Sequence, residues 1–199
     1  MDPLRILVLG GARSGKSSYA LKLAETRWRR PLYVATAEAS DDEMKERIAA
    51  HRKARGRHWA CAEEPLEIAR LIKQAAKRFP ARDVLLIDCL TIWLNNVLFK
   101  DGLKSFKRRR IELVRAVRNS RCSLIMVSNE VGLGIVPDNV LGRQFRDLAG
   151  WLNQDLAAAA DTVVFVAAGL PMILKGKLPM KGTEAKGKTK KYGMKKNAK

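Results

Sequence analysis

GGARSGKSS, residues 10–18, decides the fold. It contains Gly10-x-x-x-x-Gly15-Lys16-Ser17, the spacing of a phosphate-binding loop, and it stands in the setting that pattern requires. Before it lies the apolar run Ile6–Leu9, which predicts a buried strand. After it, Ser17–Arg29 predicts a helix with Tyr19, Ala20, Leu23 and Ala24 on one side. The chemistry needs these residue types. Glycines let the backbone turn tightly, so that successive N–H groups of Gly10, Gly11, Ala12, Arg13, Ser14 and Gly15 face phosphate oxygens, and the start of the helix adds its positive end. Lys16 is expected to reach the β and γ phosphates, and the Ser17 hydroxyl suits Mg²⁺.

Working outward, apolar runs alternate with helical patterns. PLYVATA (31–37), DVLLIDCLT (83–91), CSLIMVSNE (122–130) and DTVVFVAAG (161–169) read as further buried strands. DDEMKERIAAHRKAR (41–55), Leu66–Phe79, Ser105–Asn119 and Gly142–Ala160 read as helices, the first with acids near its start and bases near its end. This alternation predicts an α/β fold of the P-loop NTPase type: one domain over 1–174, its mainly parallel sheet flanked by helices. A phosphate loop normally works with an acid at the end of a neighbouring strand, and VLLIDC supplies Asp88; Ser17 and Asp88 are thus the expected Mg²⁺ ligands. Glu130, after LIMVSN, is a weaker strand-end acid.

The chain has 199 residues, 47% of them hydrophobic, enough for one domain with a sizeable core. No apolar run is long enough to span a bilayer, and LRILVLGG lacks the length and cleavage site of a secretory signal, so a cytoplasmic protein is expected. Three widely spaced cysteines, Cys61, Cys89 and Cys122, argue against a disulfide framework or a Cys-x-x-Cys metal site. The net charge is +19, and residues 175–199 carry ten Lys and one Glu of it. That tail, poor in large apolar residues, is expected to be disordered. Aromatic content is 6% and no base-stacking motif is present, so nucleic acid is expected only as a non-specific partner of the tail.

A phosphate loop alone does not name a reaction. No Asn-Lys-x-Asp guanine motif appears, which argues against a switch GTPase and leaves motor ATPases and small-molecule kinases, including a kinase of some other small alcohol. Both histidines, His51 and His58, lie in ERIAAHRKARGRHW (46–59), among Arg52, Lys53, Arg55 and Arg57. On the residues alone, His51 is either a half-buried residue at a basic helix end, sharing a face with Met44 and Ile48, or a nucleophile where an anion docks.

GGARSGKSSYA, YVATAEASDDEMKERIAAHRKAR, LLIDCLTIWLNN, VSNEVGLGIVPDNVLGRQFRDLAGWLNQDLAAAAD and VAAGLP follow one another in order. Together they resemble the bifunctional adenosylcobinamide kinase / adenosylcobinamide-phosphate guanylyltransferases of cobalamin biosynthesis, over roughly residues 5–174. The resemblance implies phosphorylation of adenosylcobinamide by ATP or GTP. It then implies transfer of GMP from GTP, by way of a guanylyl-histidine, to the cobinamide phosphate, giving adenosylcobinamide-GDP. The family's histidine stands in an Arg-Ile-x-x-His pattern, matched here by Arg47-Ile48-Ala49-Ala50-His51, so His51 takes the nucleophile role. Arg52, Lys53, Ala54 and Arg55 follow it as nucleotide contacts. By the same match Ala35, Thr36 and Ala37 lie against the nucleotide, and Glu63 and Asp88 are acids at it. A homotrimer is implied too, with the corrinoid site near the subunit contacts. A neutral imidazole, of ordinary pKa about 6.5, is a good nucleophile toward phosphorus, and cations beside it would hold it deprotonated and neutralise the departing pyrophosphate.

Overall fold

A computed structural model of the chain describes residues 2–38, 59–79 and 83–178, with the isolated positions 42, 45, 46 and 49. Among the described residues are seven strands and four helices. In chain order these are β1 (Arg5–Gly10), α1 (Lys16–Arg27), β2 (Pro31–Ala35), β3 (Ala60–Glu63), α2 (Ile68–Arg78) and β4 (Val84–Asp88). There follow α3 (Leu90–Arg118), β5 (Ser123–Asn129), α4 (Val140–Ala159), β6 (Thr162–Ala167) and β7 (Leu170–Lys175). The strands form one sheet in the order β3-β2-β4-β5-β1-β6-β7. All neighbours are parallel except β6 and β7. The expected α/β architecture is the observed one. Of the predicted helix over 41–55 only positions 42, 45, 46 and 49 are described, all helical, and His51 lies outside the described residues. The tail expected to be disordered from residue 175 is corrected at its start: Lys175 ends β7 and Thr162 Oγ1 donates to Lys177 O at 3.0 Å, while residues 179–199 lie outside the described residues.

Both faces of the sheet are covered, and the strands alternate accordingly. Leu7, Leu9, Leu32, Val34, Leu85, Ile87, Leu124 and Met126 enter a core with α2, α3 and α4. Ile6, Val8, Tyr33, Val84, Leu86, Ile125, Val127, Val164 and Val166 enter a second core under α1. A strand buried on both faces has no polar face to show, which is why these runs read as continuous apolar stretches. Helix α1 meets its core through Ala20, Leu21 and Ala24. Helix α2 does so through Ile68, Leu71, Ile72 and Ala75, a spacing of three and four that makes one apolar stripe.

Three further readings are corrected. The run expected as strand to Thr91 stops at Asp88, and α3 starts at Leu90. Leu90, Thr91, Trp93, Leu94 and Val97 are buried at helical spacing, so the apolar composition around Asp88 hid a change of period from two to 3.6. This helix continues to Arg118, interrupted by the non-helical Gly102 (φ 77°, ψ 175°). The other two are short strands that were not anticipated, β3 (ACAE) and β7 (LPMILK). They are the two edges of the sheet, where pairing on one side is enough and a proline such as Pro171 is tolerated. Strand β7 returns on β6 through Ala168 and Gly169, both with positive φ (50° and 78°), the twist of a two-residue hairpin turn. Among the described residues no helix is long and apolar enough to cross a membrane.

The second half of α3 is held by Phe106, fully buried, with its ring centroid 6.0 Å from that of Trp93. Phe106→Ala should destabilise the protein by about 3–5 kcal/mol, read from urea unfolding, whereas Ile111→Ala on the exposed side of the same helix should change stability by less than about 0.5 kcal/mol.

Candidate active site

The loop after β1 closes on itself and on the far hairpin. Ser14 N–H donates to Gly11 O (3.3 Å), Tyr19 N–H to Gly15 O (2.9 Å) and Gly169 N–H to Ser14 O (2.8 Å). Two glycines are obligatory here. A Cβ on Gly10 would stand 2.5 Å from Val166 O, and Gly15 has φ 92° with the Gly169 Cα only 3.1 Å from where its Cβ would be. No side chain other than hydrogen fits either position without moving backbone. Arg13 also takes a positive φ, 56°, and its side chain is exposed, as is Ala12. The Ser14 hydroxyl is buried and has no hydrogen-bond partner among the described residues. It is packed under Gly10, where an added Cβ would stand 2.5 Å from it.

Lys16 is only 8% exposed, and its ammonium donates to Gly11 O at 3.0 Å. Burial pushes its pKa down, opposed by the nearby Cys89 and Asp88. The Cys89 thiol is itself pushed up to about 11, by burial first and then by Asp88, so it is neutral near pH 7. The carboxylate of Asp88 is therefore the counter-charge that matters to Lys16.

Asp88 ends β4 and is 9% exposed. Ser17 Oγ stands 3.4 Å from its Oδ1, and Tyr33 donates its phenolic O–H to Oδ2 at 3.1 Å. The predicted pair Ser17 and Asp88 is thus brought together, offering a hydroxyl and a carboxylate oxygen. Hard oxygen donors of this kind, one carboxylate plus a hydroxyl, fit Mg²⁺, which keeps most of its shell for phosphate and water. Among the described residues no three His, Cys, Asp or Glu side chains converge as a fuller protein cage would require.

Around this centre the register sets the remaining positions. Ala35 pairs with Asp88 on β4 and with Glu63 on β3, so Glu63, Ala35 and Asp88 form one row across the ends of three strands. Glu63 and Asp88 are then two strand spacings apart, about 10 Å. Glu64 braces the turn before α2, its Oε1 accepting from Glu67 N–H (2.8 Å) and Leu66 N–H (3.3 Å), and Glu63 is exposed at the edge. Thr36 is fully buried. Its hydroxyl donates to Cys89 O and accepts from Cys89 N–H, both at 2.8 Å, so it ties the end of β2 to the start of α3. Ala37 is half-buried next to it. Asn96 completes the tie by donating to Thr36 O (2.8 Å) and Pro65 O (3.3 Å). The carboxylate of Glu130 accepts from Gly132 N–H at 2.7 Å, while its own N–H donates to Gly10 O. His51, Arg52, Lys53, Ala54 and Arg55 lie outside the described residues. Tyr33 and Asn96 were missed by sequence reasoning. The available signal for Tyr33 was one hydroxyl in an otherwise aliphatic strand, two residues before Ala35 and hence on its face.

A family model described as cobinamide kinase / cobinamide phosphate guanyltransferase matches residues 6–174. The bifunctional adenosylcobalamin biosynthesis protein CobP of Pseudomonas aeruginosa is 46% identical over 173 residues, which cover 87% of this chain and 98% of that one. Its counterpart CobU of Salmonella typhimurium is 40% identical over 185 residues, covering 86% of this chain and all of the other. CobU of Escherichia coli is 37% identical over a stretch of the same length. Among solved structures, a prototypical ATPase from the type III secretion system of pathogenic bacteria superposes with a TM-score of 0.50 at 14% identity, covering 82% of this chain and 51% of that one, a likeness of fold alone.

The double hydrogen bond of Thr36 is open to a direct test. Thr36→Val leaves the buried Cys89 N–H without its acceptor and should cost about 1–3 kcal/mol in chemical denaturation. Thr36→Ser keeps the hydroxyl and should cost at most about 1 kcal/mol, the value of one buried methyl.

Proposed function

The chain belongs to the cobinamide kinase / cobinamide phosphate guanyltransferase family, and on that premise we propose how its residues divide two phosphorus transfers between them. The enzyme is a transferase of cobalamin biosynthesis. Its corrinoid substrate, adenosylcobinamide, first receives a phosphoryl group on its side-chain hydroxyl and then a GMP. The observation that carries the reading is the buried Lys16 ammonium behind the glycine loop, with Ser17 facing Asp88 at the end of β4.

In the first transfer the substrate hydroxyl oxygen attacks the γ-phosphorus of ATP or GTP, and the nucleoside diphosphate leaves. The loop N–H groups and Lys16 hold the β and γ oxygens where negative charge develops. Ser17 and Asp88 would hold Mg²⁺, which when bound neutralises charge on the same phosphates. In the second transfer an imidazole nitrogen of His51 attacks the α-phosphorus of GTP, and pyrophosphate leaves. A phosphate oxygen of the cobinamide phosphate then attacks that phosphorus and the P–N bond breaks. Splitting the exchange in two lets one small nucleophile serve in place of a direct encounter of two anions. Arg52, Lys53 and Arg55, the residues after His51, supply cations for the pyrophosphate, and Ala35, Ala37, Ala54 and Glu63 line the nucleotide, while Thr36, expected there by resemblance, is fully buried and holds β2 to α3 beneath them.

Assembly belongs to the same proposal. Strand β7 exposes Leu170, Met172, Ile173 and Leu174, the connection into α4 exposes Leu133, Ile135 (97% exposed) and Val136, and the start of α4 exposes Val140 and Leu141. Apolar surface of this extent, part of it on an open sheet edge, supports the reading that the chain assembles as a homotrimer.

Two experiments check this. With GTP labelled at the α-phosphorus, wild type should take up an acid-labile, base-stable label. His51→Ala should take up none and lose GMP transfer by at least about 10³-fold while its kinase rate stays within about fivefold, because Lys16 and Ser17 remain. Equal GMP transfer by both proteins would overturn the assignment of His51. Separately, Met172→Asp should shift the protein from trimer to monomer in sedimentation equilibrium with its circular dichroism unchanged.

A further inference from the structure

Tyr33 has no part in the two transfers as described, yet it is 4% exposed on β2, between β3 and β4, with its hydroxyl on Asp88 Oδ2. Its place follows from register. Tyr33 pairs with Leu86, and Asp88 pairs with Ala35, so Asp88 is the diagonal neighbour two residues further along the next strand and on the same face. The ring fills the apolar core under α1, and only the oxygen leaves it, at the height of the phosphate loop. Trp59 meets this ring edge-on, with centroids 6.3 Å apart and planes at 85°, and its own Nε1–H donates to Glu25 Oε1 of α1 at 2.9 Å. The tyrosine is therefore pinned at its ring by a tryptophan that is itself tied to a helix.

The carboxylate torsion of an aspartate is broad and nearly two-fold, so nothing intrinsic decides which oxygen faces where. Here one oxygen accepts from Tyr33 and the other is left toward Ser17. We infer that Tyr33 is a positioning residue: it fixes the Asp88 carboxylate so that Oδ1 faces the Ser17 hydroxyl, and through it sets the affinity of the site for the divalent cation of the nucleotide complex. Trp59 holds Tyr33 in that pose. This rests on the reading of Ser17 and Asp88 as the cation's protein ligands, given above.

Tyr33→Phe keeps the ring and removes the donor alone. The probe is Mn²⁺, titrated into the full chain with a non-hydrolysable ATP analogue and followed by the electron paramagnetic resonance of the free ion. Removing an outer partner of a metal ligand weakens metal binding by about ten- to a hundredfold, so Tyr33→Phe should raise the Mn²⁺ dissociation constant at least about tenfold. Binding of the analogue without metal should stay within about twofold, and in an Asp88→Asn background the same substitution should have no further effect, since residues acting through one group are not additive. A packing role would instead lower analogue affinity with and without metal alike and add to Asp88→Asn, and either result overturns the inference. So does a folded Tyr33→Phe whose Mn²⁺ affinity equals that of wild type. Should Tyr33→Phe not fold, Trp59→Phe decides: Mn²⁺ affinity lowered with metal-free binding intact supports the pinning, and unchanged affinity overturns it. Failure of wild type itself to bind Mn²⁺ with the analogue would remove the ligand assignment beneath the inference, an outcome distinct from a variant indifferent to the hydroxyl.

Discussion

One ammonium out of water, that of Lys16, sets conditions on everything near it. An ionised group taken from water costs several kcal/mol unless its protons are used and a counter-charge is at hand. Here one proton is on Gly11 O, and Asp88 is the anion within reach, Cys89 being neutral. The ammonium keeps spare donors and a lowered pKa, so it is under-solvated until phosphate oxygens arrive. Bringing it there demands a left-handed Gly15, a Gly10 without a side chain under Val166 O, and a hairpin tip at Gly169 that closes over Ser14. The tip of the distant β6–β7 hairpin is thereby part of the phosphate loop, although Gly169 and Ser14 are 155 positions apart (169 − 14).

The two faces of the sheet then do different things. On the α1 face, Trp59, Tyr33 and Asp88 form a column that ends at Ser17. On the other, Thr36 and Asn96 lock the ends of β2 and β4 to α3 and to the turn at Pro65. Since Asp88 and Cys89 are consecutive, the carboxylate is steadied from both sides: its side chain by a phenol, its backbone by a buried hydroxyl. A strand end is otherwise where backbone pairing runs out, and these bonds continue the ladder beyond the last paired residue.

How much of this could be read beforehand depends on the range of the interaction. The phosphate loop, its strand and its helix are local, and Gly10, Gly15, Lys16 and Ser17 announce them at fixed spacing. Asp88 was legible because an acid closing an aliphatic run is conspicuous. The start of α3 was not, because LTIWLNN is apolar enough to pass as more strand; only burial at Leu90, Trp93, Leu94 and Val97 reveals the helical period. Strand β3 escaped because it is four residues long and half exposed, and β7 because it is exposed along its length and carries Pro171, which argues against a strand except at a sheet edge. Thr36 was marked for the nucleotide by resemblance, and its bonds to Cys89 depend on strand order, which no pattern within a single segment encodes. Tyr33 is the same case: its ring reads as core, and its oxygen acquires meaning only once β2 lies beside β4.

On the proposed function, one grip serves two displacements at different phosphorus atoms. The loop and Lys16 bind the β and γ phosphates. When the nucleophile is a hydroxyl approaching the γ end, the γ group is the moiety transferred and the β phosphate stays on the nucleoside diphosphate that leaves. When it is an imidazole approaching the α end, the same two phosphates are the pyrophosphate that leaves. In both transition states negative charge builds on oxygens the loop already faces, so a single set of N–H groups and a single ammonium stabilise either reaction. What distinguishes the reactions is the direction from which the nucleophile comes, and this chain supplies only one of the two nucleophiles itself. A bifunctional enzyme therefore needs no second phosphate site, and its demand falls on the precision with which Ser17, Asp88 and Tyr33 keep the one site in order.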